Sequence, residues 1–135
     1  MPSFSKKSAK KLSQCDDRLQ RVFNEVIKHR DCTILEGSRD KGTQDEYFRT
    51  GKSKVKYPNS KHNTLPSQAI DVAPYFPTAP HIRWDDIQSF AYFAGFVIGI
   101  AASMGITLRH GADWDQDGDT KDQSFMDWPH FELVD

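Results

Sequence analysis

The chain has 135 residues, 37% of them hydrophobic and 27% charged, and a formal net charge of -1. That length suits one domain with its own core, expected over residues 1–135. The near-neutral balance argues against a nucleic-acid footprint, and two cysteines, Cys15 and Cys32, are too few for a disulfide scaffold.

Both cysteines read as buried thiols of a protein made in a reducing compartment. Lys6, Lys7, Lys10 and Lys11 read as a solvated helix end in preference to an anchor on an anionic surface. Met1–Leu12 lacks the apolar core and cleavage site of a signal peptide, so a target outside the cytoplasm requires another way out.

The N-terminal segment is expected to be helical, with Ser5 or Ser8 capping a short first piece. From there Leu12, Cys15, Leu19, Val22, Phe23, Val26 and Ile27 fall on one face at three-four spacing. Thr33–Glu36 is β-favouring and bounded by Asp31 and Gly37, which predicts a strand. Residues 37–42 read as loop. Thr43-Gln44-Asp45-Glu46 reads as a capping box opening a short helix that stops at Gly51. Residues 51–67 are loop by composition. Ala69–Val72 is a second strand, ended by Pro74 and Pro77, and Pro77–Pro80 is a rigid turn.

Asp85-Asp86-Ile87-Gln88 is a capping signal for the most apolar segment, Phe90–Ile106, with Gly105 as its stop. A membrane span needs roughly twenty apolar residues. This segment is shorter and is interrupted by Gly95, Gly99 and Ser103, so it reads as a central helix buried on nearly all sides. Ile106–Arg109 is a third strand and His130–Val134 a fourth, with an acidic loop between. The sum is one α+β domain: a small antiparallel sheet, N-terminal helices and a buried central helix.

Chemistry concentrates in Asp127-Trp128-Pro129-His130-Phe131-Glu132-Leu133. Pro129 holds Trp128 extended and stiffens the backbone before His130. Upstream, His62 and Asp71 bracket a loop that enters a strand. Two histidines, one aspartate and a spare carboxylate are the parts of a catalytic zinc site. On residue types alone the competing reading stands beside it: Trp128, Phe131 and Leu133 as core, the polar residues as rim. Ser60 reads as a loop hydrogen-bonder, because no acyl-transfer motif surrounds it. His29, His81 and His110 read as structural or exposed.

Asp113, Asp115 and Asp117 stand at positions 1, 3 and 5 of an EF-hand-like loop with Gly118 at 6. Ser124 replaces the usual glutamate at position 12, while Asp119 and Asp122 add carboxylates. Unneutralised, these acids repel one another. Both a calcium site and a solvated acidic loop fit the pattern.

Ser60-x-His62, Ala69-x-Asp71 and Asp127-x-x-His130 together resemble the zinc-ligand pattern of the M15 metallopeptidases. That family includes D-Ala-D-Ala dipeptidases and carboxypeptidases, and the L-alanyl-D-glutamate peptidases that serve as phage endolysins. Glu36-Gly37-Ser38-Arg39, Gln44, Gly51-Lys52-Ser53, Gly111–Asp113 and Trp128–Leu133 are similar, in order, to blocks of the small endolysin branch. One departure is a His62-to-Asp71 interval two residues longer than the family's, with Leu65-Pro66-Ser67 in place of a glycine.

The resemblance implies a Hedgehog/DD-peptidase-like fold and a peptidoglycan hydrolase cutting the stem peptide, first at L-Ala–D-Glu. The alternatives are a D-Ala-D-Ala carboxypeptidase and a non-catalytic zinc- and calcium-binding wall module. It implies zinc on His62, Asp71 and His130, a site of net charge +1. Asp127 would be the base, with Glu132, which shares a strand face with His130, as its rival, and Arg39 would stabilise the oxyanion. Ser60 and Gln44 would touch substrate, and calcium, if bound, would order the loop before Asp127. A monomer held in the host cytoplasm until a holin-like protein opens the membrane completes the expectation.

Overall fold

A computed structural model describes residues 2–135. Four α-helices are α1 (Lys6–Leu12), α2 (Asp17–Val26), α3 (Lys41–Thr50) and α4 (Ile87–Ser103). Four strands are β1 (Cys32–Glu36), β2 (Ala69–Pro74), β3 (Leu108–His110) and β4 (His130–Leu133). They form one antiparallel sheet in the order β1-β2-β4-β3. The α+β class and the small antiparallel sheet are as expected.

The N-terminal segment is two helices, and the break falls inside the run from Leu12 to Ile27 whose spacing reads as continuous. Ser5 caps α1 by accepting from the Ser8 amide. The chain then leaves helical geometry so that Gln14–Asp16 can pair with Ser67: Asp16 N–H donates to the Ser67 carbonyl at 2.8 Å, and Ser67 N–H to Gln14 at 2.8 Å. Asp16 restarts the helix, its carboxylate accepting from the Arg18 amide. Three-four spacing continues across this break because both pieces bury their apolar side against the same core. Cys15 and Cys32 are buried free thiols, and burial pushes both pKa values up to about 12.

Period-two alternation divides the sheet. Ile70 stands opposite Phe131 and Asp71 opposite His130. Directly opposed residues project to the same side, so one face carries Ile70, Val72, Phe131 and Leu133 and the other Asp71, His130 and Glu132. The apolar face packs on α2 and α4. Phe23 and Phe93 both meet Phe131 edge-on, at 5.7 and 6.3 Å between centroids.

Three further expectations change. Asp40, not Thr43, caps α3: its carboxylate accepts from the Thr43 amide at 2.8 Å, and Gly51 (φ 85°) ends the helix. The α4 helix is capped by Asp86 but is not buried on nearly all sides. Phe90, Phe93, Ala94, Val97 and Ala101 face the core, while Tyr92 is 66% exposed and Gly95, Gly99 and Ala102 line an open side. Among the described residues no helix is long and apolar enough to cross a membrane. Finally, β3 begins two residues later than expected, at Leu108.

Candidate active site

The polar face of the sheet opens into a cleft of ≈ 450 Å³. Asp71 and His130 reach it as a cross-strand pair. His62 comes from the loop, in a single 3-10 turn over Lys61–Asn63. Ser60 caps that turn, its Oγ accepting from the His62 amide while the Asn63 side chain accepts from the Ser60 amide. The longer interval between His62 and Asp71 bulges outward, with Leu65 77% exposed. Ser67 then returns the chain, its hydroxyl donating to the Ala69 carbonyl at 2.7 Å.

Three ligand atoms converge. Asp71 Oδ1 lies 3.2 Å from His62 Nε2 and 3.2 Å from His130 Nδ1, and the two nitrogens are 3.3 Å apart. Ligands held at 2.0–2.1 Å in a tetrahedral array stand roughly 3.3 Å apart, so the triangle has the dimensions of a zinc site. The outer partners fix the tautomers. His62 Nδ1 donates to the Gly37 carbonyl at 2.7 Å, and His130 Nε2 donates to Glu132 Oε1 at 2.8 Å. In that tautomer each ring can turn a lone pair toward Asp71, so the three groups can serve as ligands to one cation, with a proton on His130 filling its place otherwise.

The pKa values report the same crowding. Burial opposes the charge of Asp71, but His62 and His130 hold its carboxyl far below the usual range. Burial alone would lower His130; the hydrogen bonds of Asp71 and Glu132 overcome it and push it up to about 10. Glu132 is buried too, yet His130 and Arg109 draw it down to about 2. Burial first, and then the charge of Asp71, pushes Asp127 up to about 6. Two carboxyl groups in one site are thus driven apart, which is the usual mark of separate roles.

Asp127 lines the cleft and Glu132 is engaged elsewhere. Besides His130, Glu132 accepts from Arg109 Nη2 at 2.7 Å and stands 3.7 Å from Lys61 Nζ. Gly111 sets the position of Asp127. Its carbonyl accepts from Asp127 N–H at 2.7 Å, and its own N–H donates to the His130 carbonyl at 2.9 Å. A Cβ on Gly111 would stand 2.0 Å from the Asp127 carbonyl oxygen, so only glycine permits this approach. Gly37 is as confined, with 2.5 Å between such a Cβ and the Lys11 carbonyl. Sequence reading used Gly37 as a strand boundary and both glycines as parts of family blocks, without this packing role. The signal available was a glycine directly after each of two strands.

Arg39 lines the cleft floor, its guanidinium 3.8 Å from Asp71 Oδ2. Glu36 accepts from its Nε at 2.5 Å, Gln44 Oε1 from its Nη1 at 2.8 Å, and the Tyr47 ring lies 4.6 Å beneath it. Gln44 does not offer itself to substrate as expected. It is 0% exposed and also donates to Ser53 and Val55, so it cross-links Arg39 to the next loop. Ser60 does line the cleft, although its hydroxyl serves the His62 turn.

On the acidic loop, carboxylates of Asp113, Asp115 and Asp117 approach one another closely enough to share an ion. Gly118 adopts φ 82°, as a tight sixth position needs. Asp119 caps the turn at Thr120–Asp122, and Asp122 bonds Gln123 while its carboxyl stands against that of Asp117, which raises its pKa. Trp114, from the same loop, lies 5.3 Å from the His130 ring and donates Nε1–H to the Phe125 carbonyl. The remaining histidines are structural or exposed as expected. His29 pairs with Glu25, His81 stacks on Tyr75, and buried His110 bonds the Trp128 carbonyl with its pKa lowered to about 4 by burial.

The family model of phage L-alanyl-D-glutamate peptidases matches residues 2–134. The chain belongs to that family. It is 34% identical over 137 residues to the L-alanyl-D-glutamate peptidase of Escherichia phage T5, covering 97% of each protein. It also resembles the crystal structure of the Serratia marcescens L-Ala D-Glu endopeptidase ChiX, with a TM-score of 0.73 and 26% identity over 97% of this chain and 89% of that one. The peptidase class and the endolysin-branch resemblance are borne out for this family member.

Proposed function

We propose that this protein is a zinc peptidase of the M15 kind that cleaves the L-Ala–D-Glu bond of peptidoglycan stem peptides and acts as an endolysin. The observation that carries the reading is the 3.2–3.3 Å triangle of His62, Asp71 and His130. It opens on one side to a cleft that also holds Asp127 and Arg39. A structural site would close with a fourth protein ligand. The names of the T5 and ChiX relatives supply the scissile bond.

Zinc held by these three side chains would polarise the scissile carbonyl and bring the pKa of a water to about 7. Asp127 takes a proton from the attacking water and returns it to the leaving nitrogen, so that amide and water become carboxylate and amine. Arg39, always charged and held by Glu36 and Gln44, stabilises the oxygen that gains charge as the carbonyl carbon becomes tetrahedral. Glu132 orients His130 and is not the base.

Calcium on Asp113, Asp115 and Asp117 belongs to the same reading. Ordering that loop would steady Trp114 against His130 and the segment that carries Asp127. So does delivery of a monomer from the host cytoplasm through a holin-made lesion. The test is mass spectrometry of purified peptidoglycan after digestion, with and without a chelator. New N-terminal D-glutamate, lost on chelation, is the expected result. Release of terminal D-alanine would replace the reading with a carboxypeptidase, and no cleavage would leave a wall-binding module.

A further inference from the structure

The cleft is more cationic than the chain. Arg39, Lys52, Lys54, Lys61 and Arg109 line it against two acids, Asp127 and Glu132, while the whole sequence carries a net charge of -1. Three of those cations are engaged. Arg39 is paired with Glu36, and Arg109 and Lys61 both meet Glu132. Lys52 and Lys54 rest on aromatic rings instead. Lys52 lies over Tyr47 of α3, on its own side of the cleft, at 4.9 Å. Lys54 reaches across: its Nζ lies 5.4 Å from the centroid of Phe125, two residues before Asp127. An exposed ammonium is therefore held over the cleft between the loop after α3 and the loop that carries Asp127.

We infer that Lys54 binds the free carboxylate of the glutamate residue on the amine side of the scissile bond, and so selects acidic over amidated substrates. The inference rests on the peptidase reading above. A glutamate has two carboxyl groups, and chain continuation uses only one of them. The other is ionised at neutral pH and lies a few bonds from the scissile nitrogen. An ammonium is a compact charge with three rotatable donors, which suits an anion whose orientation varies with the linkage. The Phe125 ring holds the lysine stem across the opening and attracts its charge, so little further ordering is needed when substrate arrives. If Lys54 merely packed two loops together, its removal would disturb every substrate alike.

The test compares kcat/KM for two peptides that differ only at that carboxylate: the L-alanyl-D-glutamyl acid and its primary amide. The zinc-loaded full chain is assayed as wild type, Lys54→Met, Lys54→Arg and Lys7→Met, the last on α1 and away from the cleft. The wild type and Lys7→Met prefer the acid by about fivefold at low salt, shrinking as ionic strength rises, as befits an exposed ion pair. Lys54→Met loses the preference by falling on the acid alone, and Lys54→Arg keeps it. An unchanged preference in Lys54→Met, an equal fall on both peptides, or a wild type indifferent to amidation would overturn the inference. A wild type that cleaves neither peptide sinks the peptidase reading itself, and the inference with it.

Discussion

The two faces of β4 are made by alternate residues of one strand and have opposite demands. Phe131 and Leu133 sit among Phe23, Phe93 and Ile70, where only volume and apolarity matter. His130 and Glu132 point the other way into a network where each polar atom has a named partner. The packed face fixes the register that sets Asp71 beside His130. A slip of one residue would carry every side chain to the wrong side. The core therefore positions the site without touching it, and substitutions on the two faces should fail in different ways.

The largest effect is expected on the polar side. Asp127→Asn should lower kcat about 10²- to 10⁴-fold, the usual contribution of a positioned proton carrier, while metal content and melting temperature hold. Activity near wild type would remove Asp127 from the mechanism.

On the apolar side, Phe131→Ala should cost about 3–5 kcal/mol in denaturant unfolding. The fraction that remains folded should still bind metal and cleave. If metal affinity collapsed before stability did, the two faces would not be separable.

Back in the polar network, Glu132→Gln should weaken metal affinity about 10- to 100-fold by disturbing the orientation of His130. Its kcat at saturating metal should fall far less than that of Asp127→Asn. The reverse order, read from kcat and metal titration of both variants, would make Glu132 the base.

The smallest effect is in pH dependence. Burial raises Asp127 to about 6, so its base form is lost as pH falls through that value. The acid limb of kcat/KM should lie at or somewhat below pH 6, since a cation beside Asp127 draws it down, and Asp127→Asn should lack that limb. Glu132 is held down to about 2, below its ordinary value. Its contribution to stability is therefore complete above about pH 4.5 and is lost as pH falls toward 2. Acid unfolding below pH 4.5 should thus be milder in Glu132→Gln.

The same contrast explains what was legible in the residues. The strands and their apolar positions follow a local period, and His62, Asp71 and His130 stand out as candidate metal ligands by residue type and by family likeness. What escaped depends on partners distant in the chain. Leu12 to Ile27 reads as one helix because nothing local reveals that Ser67 pairs with Gln14–Asp16. Gln44 reads as a substrate contact, since its burial requires Arg39, Ser53 and Val55 to meet around it. An apolar helix looks buried throughout when its neighbours are unknown, yet α4 leaves its glycine side open. Gly111 and Gly37 are silent in one dimension because their constraint is an approach by Asp127 and Lys11.

The central claim is that His62, Asp71 and His130 hold one zinc on an open-sided site. X-ray absorption of the zinc-loaded protein measures it most directly. The account predicts one zinc per chain, with two imidazole nitrogens and light oxygen ligands at about 2.0–2.1 Å, and one imidazole fewer in His130→Ala. A spectrum with a single imidazole, or one unchanged by His130→Ala, would contradict it.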